Sequence, residues 1–205
     1  MTDSASTSTS LPGSRRRDPV VTLALAAVSI PFILIVTFFA SVPLPATKGQ
    51  VFDAGDIAIF ITALSFGPAV GGLAGGMGSG LSDALNGSIF APFTLVIKGA
   101  EGLVAGYISQ RSFRRREPIA WLCGSVIMVT GYFVTETYFI GFVFGNSAAP
   151  GLAAAILELP FNIIQVVAGG LIGIPVSRVL RTQLPSVLFS TTRHVGGSSP
   201  SSRKD

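Results

Sequence analysis

Charge is scarce in this chain. Only 12% of its 205 residues are Asp, Glu, Lys or Arg, about half the share found in soluble domains, so a water-facing globular surface is hard to build from it. There is a single cysteine, Cys123, which excludes an internal disulfide; lying inside an apolar run, it reads as a small buried hydrophobe. The one histidine, His194, stands near the C-terminus among polar residues, so no histidine cluster offers acid–base chemistry or metal ligation within the apolar region. No segment reads GxxxxGK followed by Ser or Thr, which leaves the chain without the usual phosphate-cradling loop of an ATPase. An enzyme is not expected, and neither a cofactor nor a metal is implied.

What is abundant is apolar sequence. Hydrophobic residues make up 49% of the chain and 24 residues are glycine. The apolar runs are Val20 to Val42, Ile57 to Ser82, Ile89 to Ile97, Leu103 to Ile108, Ile119 to Thr135, Thr137 to Leu157 and Phe161 to Ser177. A membrane span needs about 20 mostly apolar residues, so these runs predict an all-α integral membrane protein. The first run follows Arg15, Arg16 and Arg17 but is too long for a signal-peptide core and lacks a convincing cleavage site, so it reads as an uncleaved span.

Basic residues flanking spans stay in the cytoplasm. Twelve of the 14 Lys and Arg fall in three places: Arg15 to Arg17; Arg111 with Arg114 to Arg116; and Arg178, Arg181, Arg193, Arg203 and Lys204. Placing all three on one side requires an even number of crossings between clusters, so Ile57 to Ser82 must hold two spans. The break is expected at Gly67-Pro68, because proline cannot donate to a helix ladder and restricts the residue before it. Six transmembrane helices follow, at about 19–41, 56–67, 68–85, 90–110, 119–144 and 151–179, with both termini cytoplasmic. The expected domains are a disordered tail over 1–18, a membrane domain over 19–180 and a second disordered tail over 181–205, both tails being polar and poor in apolar residues. The third helix carries Gly71, Gly72, Gly75, Gly76, Gly78 and Gly80, a spacing that lets helix backbones approach closely in lipid.

Ionisable residues inside spans are costly and point to function. Asp56, Asp83, Lys98, Glu101, Glu136 and Glu158 meet that condition, and their depths along the six helices place them in the outer half of the bundle. Glu158, Asn162 and Gln165 lie on one helical face at i, i+4 and i+7, and Tyr132 precedes Glu136 by one turn. The candidate substrate-binding set is Asp83, Lys98, Glu101, Tyr132, Glu136, Glu158, Asn162 and Gln165. Phe93, Phe133, Tyr138, Phe139 and Phe161 are close enough in sequence to supply a stacking surface for a flat ring. An alternative role for Lys98 and Glu101 is a structural pair at i, i+3, and for Glu136 and Glu158 a protonated acid hydrogen-bonded within the bundle.

The stretch from Gly55 to Gln110 reads GDIAIFITALSFGPAVGGLAGGMGSGLSDALNGSIFAPFTLVIKGAEGLVAGYISQ. Its ordered GD, FGP, Gly-rich helix ending in SD, APFT, and KG followed by EG resemble the substrate-binding S components of energy-coupling factor (ECF) transporters, in the riboflavin-type or hydroxymethylpyrimidine-type group. The likeness continues through Tyr132 to Glu136 and Glu158 to Gln165. It implies a six-helix subunit that binds a vitamin or vitamin precursor on its outer side and works with a transmembrane coupling (T) subunit and two cytoplasmic ATPases, with no nucleic-acid partner. It also implies that the subunit topples in the membrane to release its cargo. Family members commonly carry an AxxxA pattern on the first helix for docking the coupling subunit; here only Thr22 and Ala26 form a small-xxx-small pair. A stand-alone secondary transporter or channel, with buried carboxylates as a proton relay, is the competing reading; no inverted repeat is visible to support it.

Overall fold

The computed structural model describes residues 18–43, 51–111, 115–141 and 148–185. Among them are six helices: α1 (Pro19–Phe39), α2 (Gly55–Phe66), α3 (Pro68–Leu85), α4 (Ala91–Ser109), α5 (Arg116–Thr135) and α6 (Ala148–Gln183). One π-helical turn, Glu136–Ile140, continues α5, and a two-residue antiparallel ladder, β1 (Val42–Pro43) with β2 (Val51–Phe52), joins α1 to α2. Three helices are long and apolar enough to cross a membrane: α1, α5 with its π turn, and α6; α2 is apolar but shorter. The expected disordered tails fall largely outside the described residues. Two boundaries differ from expectation: Asp18 is part of the helical cap, and α6 runs on to Gln183, past the expected end at residue 180.

Local chemistry sets the helix ends. The Asp18 carboxylate accepts from the Val20 amide at 2.9 Å and Pro19 takes the first helical position, a favourable start for α1 because proline lacks the N–H that would otherwise go unpaired. The break between α2 and α3 falls at Gly67-Pro68. Gly67 has φ 88° and ψ −170°, a backbone that only glycine adopts without strain, and Pro68 begins α3 with its ring in the first turn.

Close backbone approach then builds the bundle. A Cβ on Gly71 would lie 2.6 Å from the Gly102 carbonyl oxygen, one on Gly75 2.8 Å from the Lys98 oxygen, and one on Gly76 2.6 Å from the Leu95 oxygen. Gly78 performs the same service toward α1, where a Cβ would come within 2.8 Å of Ile33 Cβ. Helix α3 is therefore wedged between α1 and α4, as small residues permit in lipid. Phe60 of α2 fills the opposite contact: its ring is buried beside Ala63, Leu64, Ala105 and Ala120, and Gly124, Gly169 and Gly173 make room for it.

The distribution of polarity is inverted relative to a soluble bundle. Asp56, Lys98, Glu101 and Glu136 are buried, whereas Leu73, Leu81, Val96, Leu103, Ile164 and Leu171 are exposed. An apolar exterior around a charged interior is what a hydrocarbon solvent demands.

Candidate functional site

The buried charges gather at one end of the bundle, where α2, α4 and α6 begin and α3 and α5 end. A polar cavity opens there, about 350 Å³ of space between the side chains with the open solvent at its mouth counted in. Six of the eight residues expected from sequence line it: Asp83, Lys98, Tyr132, Glu158, Asn162 and Gln165. Helical periodicity accounts for the last three, which α6 presents on one face. Its 36 residues persist through Pro160 and Pro175.

Glu101 and Glu136 are not among the lining residues. Both are fully buried, and Glu101 lies one turn below Lys98, its Oε2 3.8 Å from the ammonium nitrogen. Its two carboxyl oxygens accept no hydrogen bond among the described residues. The principal partner of Lys98 is instead Asp56 on α2, whose Oδ1 accepts directly from the lysine Nζ. The i, i+3 pair thus exists, but as the weaker arm of a three-residue cluster spanning two helices. Lys98 also sits 5.6 Å from the centre of the Tyr132 ring, within cation–π range.

A second set of polar contacts ties α3, α4 and α5 together beside the cavity. Tyr132 donates its hydroxyl to Thr94 Oγ1 at 3.0 Å, and Thr94 donates to Asp83 Oδ2 at 2.5 Å. On the other side, Gln165 Nε2 donates to the Asp53 carbonyl at 3.0 Å, which ties α6 to the segment entering α2. The Asp53 carboxylate caps that segment, accepting from the Gly55 amide at 2.5 Å. Burial pushes the Asp53 carboxyl up to about 6, against the pull of the Lys98 charge.

Asp53, Ser88, Phe90 and Met128 complete the lining and were not singled out from sequence. Asp53 and Ser88 lie in connections rather than spans, where no periodicity marks them. Of the aromatic residues expected nearby, Phe93 and Phe139 pack with Phe90, ring centroids 4.7 Å apart for the first two and 5.8 Å for Phe90 and Phe139. This cluster backs the cavity, and Phe90 alone of the three reaches it. Tyr138 is exposed.

The expected docking pair on α1 is placed differently from an open small-residue face. Ala26 is buried in the bundle, and the half-buried Thr22 donates its hydroxyl to the Asp18 carbonyl at 3.2 Å. At least the Ala26 half of the pair is spent on internal packing.

Comparison with known proteins agrees with this architecture. The family described as "ECF-type riboflavin transporter, S component" matches residues 18–182. An uncharacterized protein in gap 3'region of Pyrococcus woesei is 36% identical over 157 residues, covering 76% of this chain and 99% of that one. The thiamine precursor transporter HmpT of Lactococcus lactis subsp. cremoris (strain MG1363) is 28% identical over 128 residues, covering 62% of this chain and 68% of that protein. The matched family is one of transporter S components rather than of enzymes. Apolar helices around buried charges, with a match running from Asp18 to Thr182, place the chain in the ECF-type riboflavin transporter S component family.

Proposed function

We propose that this chain is the substrate-capture subunit of an ECF-type ATP-driven importer. It binds a vitamin or vitamin precursor in the cavity between α3, α4, α5 and α6 and passes it on with a transmembrane coupling subunit and two cytoplasmic ATPases. The observation that carries the reading is the polar cavity at the bundle end remote from the basic residues Arg111, Arg115, Arg116, Arg178 and Arg181. Basic flanks stay in the cytoplasm, so the cavity opens outward and both termini are cytoplasmic, with the spans counted as six. The substrate-binding residues are Asp83, Lys98, Tyr132, Glu158, Asn162 and Gln165, with Glu101 and Glu136 supporting them from below or beside the cavity. Thr22 and the exposed side of α1 remain the docking candidate for the coupling subunit.

Reconstitution tests this. The molecule that co-purifies in mild detergent, identified by mass spectrometry and resupplied in labelled form, should bind the protein in liposomes without accumulating, even with ATP enclosed. Adding the coupling subunit and ATPases should produce ATP-dependent uptake. Accumulation by the chain alone under a proton gradient would instead establish the secondary-transporter reading, with the buried carboxylates as relay.

A further inference from the structure

The end of the bundle opposite the cavity carries a basic patch that the capture reading does not use and on which it does not depend. Arg111 stands just past α4, Arg115 and Arg116 open α5, and the last turns of α6 bring Arg178; Arg111, Arg115 and Arg178 are exposed and Arg116 is half-buried. The acid that meets them is Glu117, and it is shared: its Oε1 lies 3.3 Å from Arg116 Nε and its Oε2 3.7 Å from Arg178 Nη2. Four arginines against this one carboxylate leave a surplus of three positive charges across α4, α5 and α6. Arg181 does not belong to the patch, because its Nη2 donates to the Leu64 carbonyl inside the bundle.

The guanidinium groups are oriented without being used up. Arg111 lies over the Tyr107 ring, 4.4 Å from its centre, and donates to the Tyr107 hydroxyl. Glu117 holds Arg116 and Arg178 relative to one another across α5 and α6. Each guanidinium has five N–H donors, and these contacts engage one nitrogen on each, through pairs that contribute little when exposed.

An apolar surface runs directly into the patch. Leu103 and Tyr107 precede Arg111 on α4 at four-residue spacing, and Ile119 follows Arg115 by four residues on α5; all three are about half exposed. In lipid, such side chains meet acyl chains, while the arginines at the helix ends reach the depth of the headgroups, where tyrosine is also favoured.

We propose that this patch binds the headgroup of an anionic phospholipid, its phosphodiester held by Arg111, Arg115, Arg116 and Arg178 and its acyl chains lying along Leu103, Tyr107 and Ile119. The planar guanidinium fork matches phosphate oxygens bidentately, and basic clusters of this size at a membrane boundary attract anionic lipids. A zwitterionic lipid would set its own cation against the surplus of positive charge. A soluble phosphate would gain the charge contacts and leave the apolar strip uncovered.

The test uses the full chain, delipidated in mild detergent, and native mass spectrometry. The probes are phosphatidylglycerol, phosphatidylcholine with the same acyl chains, and sn-glycerol 3-phosphate. Phosphatidylglycerol should be retained at concentrations at least about tenfold lower than the other two, and its advantage should shrink as salt rises from about 0.1 to about 1 M. Arg111→Gln and Arg178→Gln should each weaken its retention about fivefold, the contribution of one basic residue near an anionic headgroup. Arg111→Lys and Arg178→Lys, which keep the charge, should hold most of it. These side chains are exposed, so the lipid-free melting temperature should not move; if a variant fails to fold, the wild-type ranking decides the matter. Equal retention of phosphatidylcholine or of glycerol phosphate would overturn the proposal. So would glutamine variants that retain phosphatidylglycerol as the wild type does; if those variants also lose assembly with a coupling subunit, the patch is a protein contact instead.

Discussion

Lys98 on α4 and Asp56 on α2, 42 residues apart in the chain, form an ion pair with only 2% and 1% of their side chains exposed. Removing one member of a buried pair strands the other in a low-dielectric interior, which typically costs about 3–5 kcal/mol. Lys98→Met should therefore express poorly or melt far below the wild type, since it strands both Asp56 and Glu101. Asp56→Asn should cost more than Glu101→Gln, because Asp56 makes the direct hydrogen bond and Glu101 lies 3.8 Å away with its oxygens otherwise unpartnered. Adding Asp56→Asn to Lys98→Met should recover part of the loss. Melting curves of the four variants in detergent check this; a Lys98→Met protein as stable as wild type would contradict the assignment of the pair.

The seam between α3 and α4 predicts a sharp contrast between two glycines. Gly71→Ala would bring a methyl group to 2.6 Å from the Gly102 carbonyl oxygen and 2.8 Å from Ala63 Cα, backbone atoms that yield only if the helices separate. Overpacking of this kind costs about 1–3 kcal/mol. Gly87, at φ 71° with nothing near its added Cβ, should accept Asn, which tolerates that backbone, with a change within about 0.5 kcal/mol. Comparable melting temperatures for the two variants would show that the seam is looser than the distances imply.

Asp53 makes stability depend on pH. Its carboxyl is raised from 3.8 to about 6, first by burial, with Asp56 and Asp83 adding to the rise and Lys98 and the Gly55 amide opposing it. The folded protein then binds a proton more readily than the unfolded chain between about pH 4 and 6, so this group's contribution is fully present below about 4 and lost as pH rises through 6. A shift of this size corresponds to a few kcal/mol. The ligand-free protein should melt higher at pH 5 than at pH 7, and Asp53→Asn should flatten that dependence. A pH profile unchanged by the substitution would assign the effect to another acid.

Much of this architecture was legible because its causes are local or periodic. The break at Gly67-Pro68 follows from proline geometry, the seam of α3 from glycine spacing, and the shared face of Glu158, Asn162 and Gln165 from the 3.6-residue turn. Six of the eight candidate residues converge on the cavity for the same reason: a charge within an apolar helix must turn inward. What escaped was every pairing across helices. Sequence distance favoured Glu101 as the partner of Lys98, yet packing set Asp56 against it; the Tyr132–Thr94–Asp83 chain links three helices that no spacing relates. Asp53 and Ser88 enter the lining from connections, where no period marks an inward face. Glu101 and Glu136 are as apolar in context as Glu158, yet they lie outside the lining, Glu101 one turn from Lys98 on α4 and Glu136 at the start of the π turn.

The sequence by itself determined that this chain must face lipid, where its helices break and which side chains must be buried, because each depends on composition or on neighbours within a turn. Only the tertiary structure decided which buried charges neutralise one another and which line the cavity, because that depends on the relative rotation and depth of helices brought together by close backbone packing.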